Sequence, residues 1–315
     1  MIILREWYKN NGKDDEWFRI KEYVAKLISD FENLDDITDE DLQMYLEKLR
    51  NKDQLNLEVI LGLARLFKLN NNHQQYIYFT KLLGGHGVLE SIHHKATVQL
   101  GQVAADNIFY GCFPDIATAP KNLPDYIERL MKNLNTLDEN TCNNILADNH
   151  HNIPEIAFEN DIELYKKSAC LDDFLKQRHE NKISELEKHM EENKVWFEQI
   201  ITQDVIDFVR KNQEVLSAVH KDNCLYVTKI PYDTKAYLNA ENDIERRYHY
   251  CHCPFVKESI LLDKHIDEKW CNCSGGFAKY PFEVIFNQTL EVEVLESVLK
   301  GNQVCRFKIK NINTL

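Results

Sequence analysis

The sequence predicts an α+β protein, with a mostly helical N-terminal half followed by an α+β domain that holds an antiparallel sheet. Two observations support this class. Apolar residues recur at helical spacing from about residue 14 to residue 218. From about residue 219 the chain is rich in β-branched and aromatic residues, as strands are. We therefore predict a helical domain over 1–215 and an α+β domain over 216–315.

Helix signals run through the first half. In DEWFRIKEYVAKLISDFENL, apolar residues lie at i, i+3, i+4 and i+7. Thr38 and Asp41 form a capping-box pattern that predicts the start of a helix, and the glycine pair 84–85 predicts the end of another. Turn formers predict a break within 146–163. The charged segment 171–212 is typical of either a dimer-forming helix or a solvated amphipathic one, so a homo-oligomer is one partner hypothesis.

Strand signals fill the last hundred residues. NCLYVTKIPYDT, PFEVIF and LEVEVLESVL all have strand-like composition. KGNQ is a hairpin turn signal, and VCRFKI is then the return strand. Its alternation puts Val304, Arg306 and Lys308 on one face, whereas Cys305, Phe307 and Ile309 share the other.

Charge and cysteine usage exclude several classes of function. A formal charge of −13 disfavours nucleic-acid binding, which needs a basic face, and adsorption to an anionic membrane. No apolar stretch is long enough to span a bilayer. The odd count of nine cysteines, without a secretory signal, predicts reduced thiols and a cytoplasmic location.

The strongest local signal is a pair of Cys-x-Cys motifs, YHYCHCPF and WCNCSGGF, spaced as C-x-C-x17-C-x-C. In an extended segment residues i and i+2 point to the same side, so each motif could present two sulfurs to one centre. Four thiolates suit a tetrahedral soft metal, zinc ahead of iron–sulfur. The predicted ligands are Cys251, Cys253, Cys271 and Cys273, and the reserves are Cys305, His249 and His252.

A second interpretation of the same motifs is thiol catalysis. Cys253 precedes Pro254, which favours the first position of a helix, so Cys253 is predicted to be an N-cap with a lowered pKa. His249 or His252 would be its base. A redox switch is the third interpretation, because a Cys-x-Cys disulfide closes a strained ring. Buried small residues are the structural alternative.

The last third of the chain, over about 245–310, resembles a poorly characterised bacterial family with CxCP and CxCS motifs. Its terminal hairpin, with Glu296, Gly301, Cys305 and Phe307, is similar to 4-vinyl reductase-type small-molecule-binding domains and to L-2-amino-thiazoline-4-carboxylate hydrolase-like proteins. The resemblance implies a ligand pocket. Relatives carry a Cys-Gly…Cys element in the helical half, where this chain has LADNHHNIP, so its histidines could join the site.

These observations predict a soluble intracellular protein that binds a small molecule at a cysteine-rich site, with zinc or another soft metal bound to the four motif thiols. The alternative is a hydrolase of a C–N or C–S bond in a small amino-acid-like or heterocyclic substrate, with Cys253 as nucleophile and His249 or His252 as base. A thiol redox switch remains the other alternative.

Overall fold

The computed structural model describes residues 1–31, 33–116 and 118–312. The chain forms two compact units: Met1–Gly84 with Pro114–Ala119, and Gly85–Phe113 with Pro120–Leu315. The domain boundary predicted near residue 215 falls within the second unit.

The described residues of the first unit form five α-helices and a 3-10 helix, Leu34–Asp36, around one apolar core. Asp14–Ser29 carries the predicted periodicity and buries Trp17, Ile20, Val24 and Leu27. The predicted capping box of Thr38 and Asp41 is present in full. The helices are α1 Ile2–Asn10, α2 Asp14–Ser29, α3 Asp39–Arg50, α4 Leu57–Leu69 and α5 His73–Leu83.

The second unit contains the remaining helices and all the strands of the described chain. The break predicted within 146–163 is present as the connection between two of its helices. The helices are α6 Val88–Leu100, α7 Gln102–Phe109, α8 Leu123–Leu134, α9 Glu139–Leu146, α10 Glu159–Lys167, α11 Leu171–Glu191, α12 Gln203–Arg210, α13 Thr234–Asn239, α14 Asp243–Tyr250, α15 Lys257–Leu261 and α16 Asn272–Phe286. No helix in the described part of the chain is both long and apolar enough to cross a membrane.

The main sheet has four strands in the order β3-β4-β6-β5, and each neighbouring pair is antiparallel. These observations confirm the predicted α+β class. A separate two-stranded sheet pairs β1 with β2. The strands are β1 Val195–Trp196, β2 Gln199–Ile200, β3 Val219–Lys221, β4 Cys224–Thr228, β5 Glu291–Glu296 and β6 Arg306–Lys310.

The predicted alternation along the return strand is confirmed. Cys305, Phe307 and Ile309 are all buried and belong to the core of the second unit. The core face of the sheet packs against α16, where Gly275 lies over Val292 and Phe307. This packing brings the N-terminal turn of α16 to the sheet, and it fixes the position of the second Cys-x-Cys motif.

Two local predictions are wrong. PFEVIF is the end of α16 and not a strand, because Ala278, Phe282 and Ile285 are buried at helical spacing and Pro281 is accommodated within the helix. The segment 171–212 is not one helix: α11 ends at Glu191, and a β1–β2 hairpin precedes α12.

A candidate thiol–lysine site

All nine cysteines are free thiols. Four of them, Cys251, Cys253, Cys273 and Cys305, interact with the side chain of Lys229, and Cys271 interacts with three of these four. Lys229 directly follows β4. Its backbone N–H donates to the Cys305 carbonyl at 3.0 Å, and its own carbonyl accepts from the hydroxyl of buried Tyr250. The end of β4, the start of β6 and the C-terminal end of α14 therefore lie next to one another at Lys229.

The first Cys-x-Cys motif lies in the irregular segment between α14 and α15. Cys253 was predicted to cap the following helix, and this is wrong because α15 begins at Lys257 with Val256 as its N-cap. The intervening residues form a turn in which the Cys253 carbonyl accepts from the Val256 and Lys257 amides, at 3.3 and 3.0 Å. Cys251 is buried, whereas Cys253 is partly exposed.

The Cys253 sulfur is surrounded by hydrogen-bond donors. The Trp270 indole N–H donates to Sγ at 3.2 Å, and the amides of Phe255 and Val256 also point to it. Burial nevertheless raises the pKa of Cys253, and these donors and Lys229 only partly offset it. The lowered pKa expected from an N-cap position is therefore not what the structure gives.

The second Cys-x-Cys motif is helical. Cys271 ends a 3-10 helix, Glu268–Cys271, and Cys273 is the second residue of α16. Residues i and i+2 of a helix are rotated by about 200°, so their side chains diverge. The assumption that both motifs are extended is wrong for this one, and its two sulfurs face different neighbours.

The thiols consequently divide into two groups. Cys273 interacts electrostatically with Cys253 and Lys229. Cys271 instead bonds to the Ser297 hydroxyl and interacts most strongly with Cys305. Burial raises the pKa of Cys273 and of Cys251 to about 12, so these thiols are protonated at neutral pH.

Lys229 places an amine within the cluster. Its Nζ donates to the Ser274 hydroxyl at 3.0 Å and lies 4.9 Å from the centre of the Phe277 ring. No carboxylate forms an ion pair with it in the part of the chain that the structure describes. Burial lowers the pKa of Lys229, while the ionised forms of Cys305, Cys251, Cys273 and Cys253 would raise it.

The two motif histidines occupy different positions. His252 lies beside Lys229, and its Nε2–H donates to the Ile230 carbonyl at 2.6 Å. Burial and the Lys229 cation hold its pKa well below the usual value, so the ring is neutral at pH 7. The ring of His249 instead contacts Tyr248, with centroids 5.4 Å apart.

The loop after α9 adds His151, as the LADNHHNIP comparison suggested. The His151 ring meets Phe277 edge-on, with centroids 5.2 Å apart, and interacts electrostatically with Lys229. His150 points elsewhere, between the Ser91 hydroxyl at 3.1 Å and the Ile145 carbonyl at 2.8 Å. One of the two adjacent histidines therefore belongs to the site, and the other supports the loop.

Two glycines allow the motifs to pack closely. A Cβ on Gly276 would overlap the backbone of Asp148 and Ala147, so the α16 N-terminal turn can dock on the loop after α9 only with glycine there. A Cβ on Gly85 would lie 2.7 Å from the Phe255 ring, next to Cys253. Gly85 thus also supports the first motif.

The predicted zinc ligands are gathered in one region but are not arranged around one ion. Within residues 1–31, 33–116 and 118–312, no three or more histidine, cysteine or carboxylate side chains are placed to hold a metal. One reason is that the side chains of Cys271 and Cys273 diverge, so their two sulfurs do not face one tetrahedral centre together. Zinc binding by Cys251, Cys253, Cys271 and Cys273 stays a prediction.

Sequence reasoning missed Lys229, Trp270 and Ser274. The signal for Lys229 was available: it is a lone cation between a strand and Ile-Pro, in an otherwise apolar stretch. Trp270 and Ser274 flank the second motif directly, but their roles depend on how α16 is oriented.

A surface cleft of about 550 Å³ lies elsewhere in the second unit, along α11 and α12. Lys176, Glu180, Arg210 and Lys211 line it, and none of the thiols does. Two of its cations already pair with neighbouring carboxylates, Lys176 with Glu180 and Arg210 with Glu187. This cleft is therefore separate from the thiol–lysine site.

Comparison with known proteins adds one match. A model described as "Family of unknown function (DUF6144)" matches residues 185–315, from within α11 to the C-terminus. The match contains Lys229 and all five clustered thiols, and it leaves out His151. No curated protein and no solved structure matches the chain.

Proposed function

We propose that this protein binds a small molecule at the thiol–lysine site, with its cysteines reduced. One observation carries the proposal: the Lys229 amine, which forms no ion pair with a carboxylate among the described residues, lies among four thiols. Isolated buried cations are costly, so such groups are retained where a ligand or a reaction uses them. The resemblance of the terminal hairpin to small-molecule-binding domains supports the same conclusion.

The test is native mass spectrometry of the reduced chain after incubation with a cell extract of molecules below about 1 kDa, the size range of ordinary small-molecule ligands. We expect one defined adduct mass on the wild-type chain and on Cys170→Ala, whose thiol is exposed and outside the cluster. Cys253→Ala and Cys273→Ala should weaken or abolish the adduct. A folded wild-type chain that retains no molecule would contradict the proposal.

Zinc is the second candidate, and the hydrogen bonds to sulfur favour it. Donors to thiolate sulfur stabilise metal-bound cysteines, and here Trp270, Ser297 and the Val298 amide all point to sulfurs. The Lys229 charge would offset part of the negative charge of a tetrathiolate centre. Elemental analysis of protein purified reduced and without added metal tests this candidate, and less than about one-tenth of an equivalent would count heavily against it.

The hydrolase alternative places the nucleophile at Cys253. What supports it is the partial exposure of this thiol and its position beside Lys229 and the neutral His252. The raised pKa of Cys253 weighs against an activated thiolate in the free protein. The rate of alkylation by iodoacetamide, measured against pH, decides this, because the pKa of an activated nucleophile would lie well below the pKa of the other thiols.

A further inference from the structure

The Lys229 amine of the thiol–lysine site forms no ion pair with a carboxylate in the part of the chain that the structure describes. The groups around it are four thiols, the Ser274 hydroxyl and the Phe277 ring. Among the described residues, the oxygen within hydrogen-bond distance of Lys229 Nζ is the Ser274 hydroxyl at 3.0 Å. An ammonium group has three N–H donors, so this contact leaves the others available to a ligand.

The groups next to the Lys229 amine indicate which chemical class of ligand it can bind. Ser274 lies in the first turn of α16, where the positive end of the helix dipole favours an anion. The Phe277 ring covers one side of Nζ, and the His151 ring stands edge-on to it. One cation and one hydroxyl match the single charge and two oxygens of a carboxylate better than a phosphate dianion, which ordinarily recruits several donors.

We propose that Lys229 anchors the carboxylate of a small organic acid, with Ser274 donating to its second oxygen; this rests on the small-molecule function proposed above. The acid's chain then extends toward Cys253 and Cys273, which both interact electrostatically with Lys229. Cys253 is the partly exposed member of this pair, so it is the thiol that a bound acid meets first.

Two alkylating reagents of nearly equal size test the anchor. Iodoacetate carries a carboxylate, and iodoacetamide is its neutral counterpart; both form an S–C bond and release iodide and the thiol proton. The rate of each is measured at Cys253 by peptide mass spectrometry on the full reduced chain, with exposed Cys170 as the internal reference. We expect the iodoacetate-to-iodoacetamide rate ratio at Cys253 to exceed that at Cys170 by about tenfold, from the nearby unscreened charge.

Three variants separate the anchor from a general structural effect. Lys229→Met should reduce the ratio at Cys253 to that of Cys170, and Lys229→Arg, which keeps the charge, should restore most of it. Lys257→Met is the matched control, since this lysine lies near Cys251 but stacks between Tyr232 and Tyr248, 4.3 and 4.5 Å from their rings. It should keep the wild-type ratio. Added acetate should slow iodoacetate, and not iodoacetamide, at Cys253.

The outcomes distinguish this inference from the function on which it rests. An equal ratio at Cys253 and Cys170, or a preference that persists in Lys229→Met, overturns the carboxylate anchor. In that case an adduct in the extract experiment still supports small-molecule binding. Conversely, an iodoacetate preference that depends on Lys229 establishes the anchor even where the extract yields no ligand, and the proposed function alone is then contradicted.

Discussion

The two Cys-x-Cys motifs have the same spacing in the sequence but differ in backbone conformation. Cys251 and Cys253 lie in an irregular segment at the exit of α14, whereas Cys271 and Cys273 span the junction of a 3-10 helix with α16. In the second motif the sulfurs diverge, one toward Ser297 and Cys305 and the other toward Lys229. The spacing of the cysteines in the sequence therefore does not by itself determine which thiols are neighbours, because this also depends on the backbone conformation.

The motifs also differ in how they are held. The α16 turn docks backbone to backbone, through Gly276 on Asp148, while the first motif docks through the Phe255 ring on Gly85. A backbone contact cannot move without moving the loop, whereas a ring can rotate or shift. We therefore expect the second motif to be the more rigid half of the site and the first motif to be the half that adapts to a ligand.

The largest effect is expected from Gly276→Ala. Alanine in place of glycine ordinarily stabilises a helix by about 1 kcal/mol, but here its Cβ would enter the Asp148 backbone. We expect the free energy of unfolding to fall by roughly 3 kcal/mol, measured from urea denaturation. Gly275→Ala is the control, because its Cβ would meet side chains and no backbone: the Val292 methyl groups at 3.2 and 3.3 Å and the Phe307 ring at 3.6 Å. Equal effects of the two variants would show that the backbone contact is not what holds α16.

Gly85→Ala should cost less, roughly 1–2 kcal/mol of unfolding free energy, because the Phe255 ring can yield. The double variant Gly85→Ala/Phe255→Leu should recover part of that loss, since the smaller side chain relieves the overlap. Additive losses in the double-mutant cycle would mean that the ring contact is unimportant for docking the first motif.

Alkaline pH should destabilise both motifs. Cys251 and Cys273 have a pKa of about 12 in the folded chain, against the ordinary value of 9.0. Above pH 9 the unfolded state loses these protons first, so stability that is complete below pH 9 declines as pH rises toward 12. We expect roughly 1 kcal/mol of loss per thiol at pH 10. Urea midpoints of Cys251→Ala and Cys273→Ala, compared with Cys170→Ala, should show a shallower decline; parallel curves would contradict the burial of these thiols.

The smallest effect is expected from Trp270→Phe, which removes the N–H donor to the Cys253 sulfur and keeps an aromatic ring. Because this donor lowers the pKa of Cys253, its loss should slow iodoacetamide labelling of Cys253 several-fold near pH 8. Labelling of Cys170 in the same sample corrects for differences in reagent concentration. A rate at Cys253 that does not change would exclude the indole as a thiolate donor.

Much of the fold follows from local patterns. The periodicity of α2, the capping box at Thr38 and the alternation along β6 depend on neighbouring residues alone, and these predictions are confirmed. PFEVIF failed because a short apolar run fits a strand or a buried helix equally, and only the packing of α16 against the sheet decides between them.

The thiols of the candidate site could be identified from the sequence, whereas the lysine among them could not. The two motifs and Cys305 were identified from spacing and hairpin register. Four of these thiols interact with Lys229, and the fifth, Cys271, interacts with Cys305, Cys251 and Cys253. Lys229 was missed because a lysine at the end of a strand is usually solvated. Its position depends on contacts with Cys305 and Tyr250 that are distant in sequence, and no local pattern reports them.

The most direct test of this arrangement is a crystal structure of the reduced chain with anomalous data at the zinc edge. We expect the Cys271 and Cys273 sulfurs to point to different neighbours, with Lys229 Nζ beside Cys253 and Cys273 and bonded to Ser274. Four sulfurs from the two motifs at about 2.3 Å from a single anomalous scatterer would contradict it and would establish a closed zinc site instead.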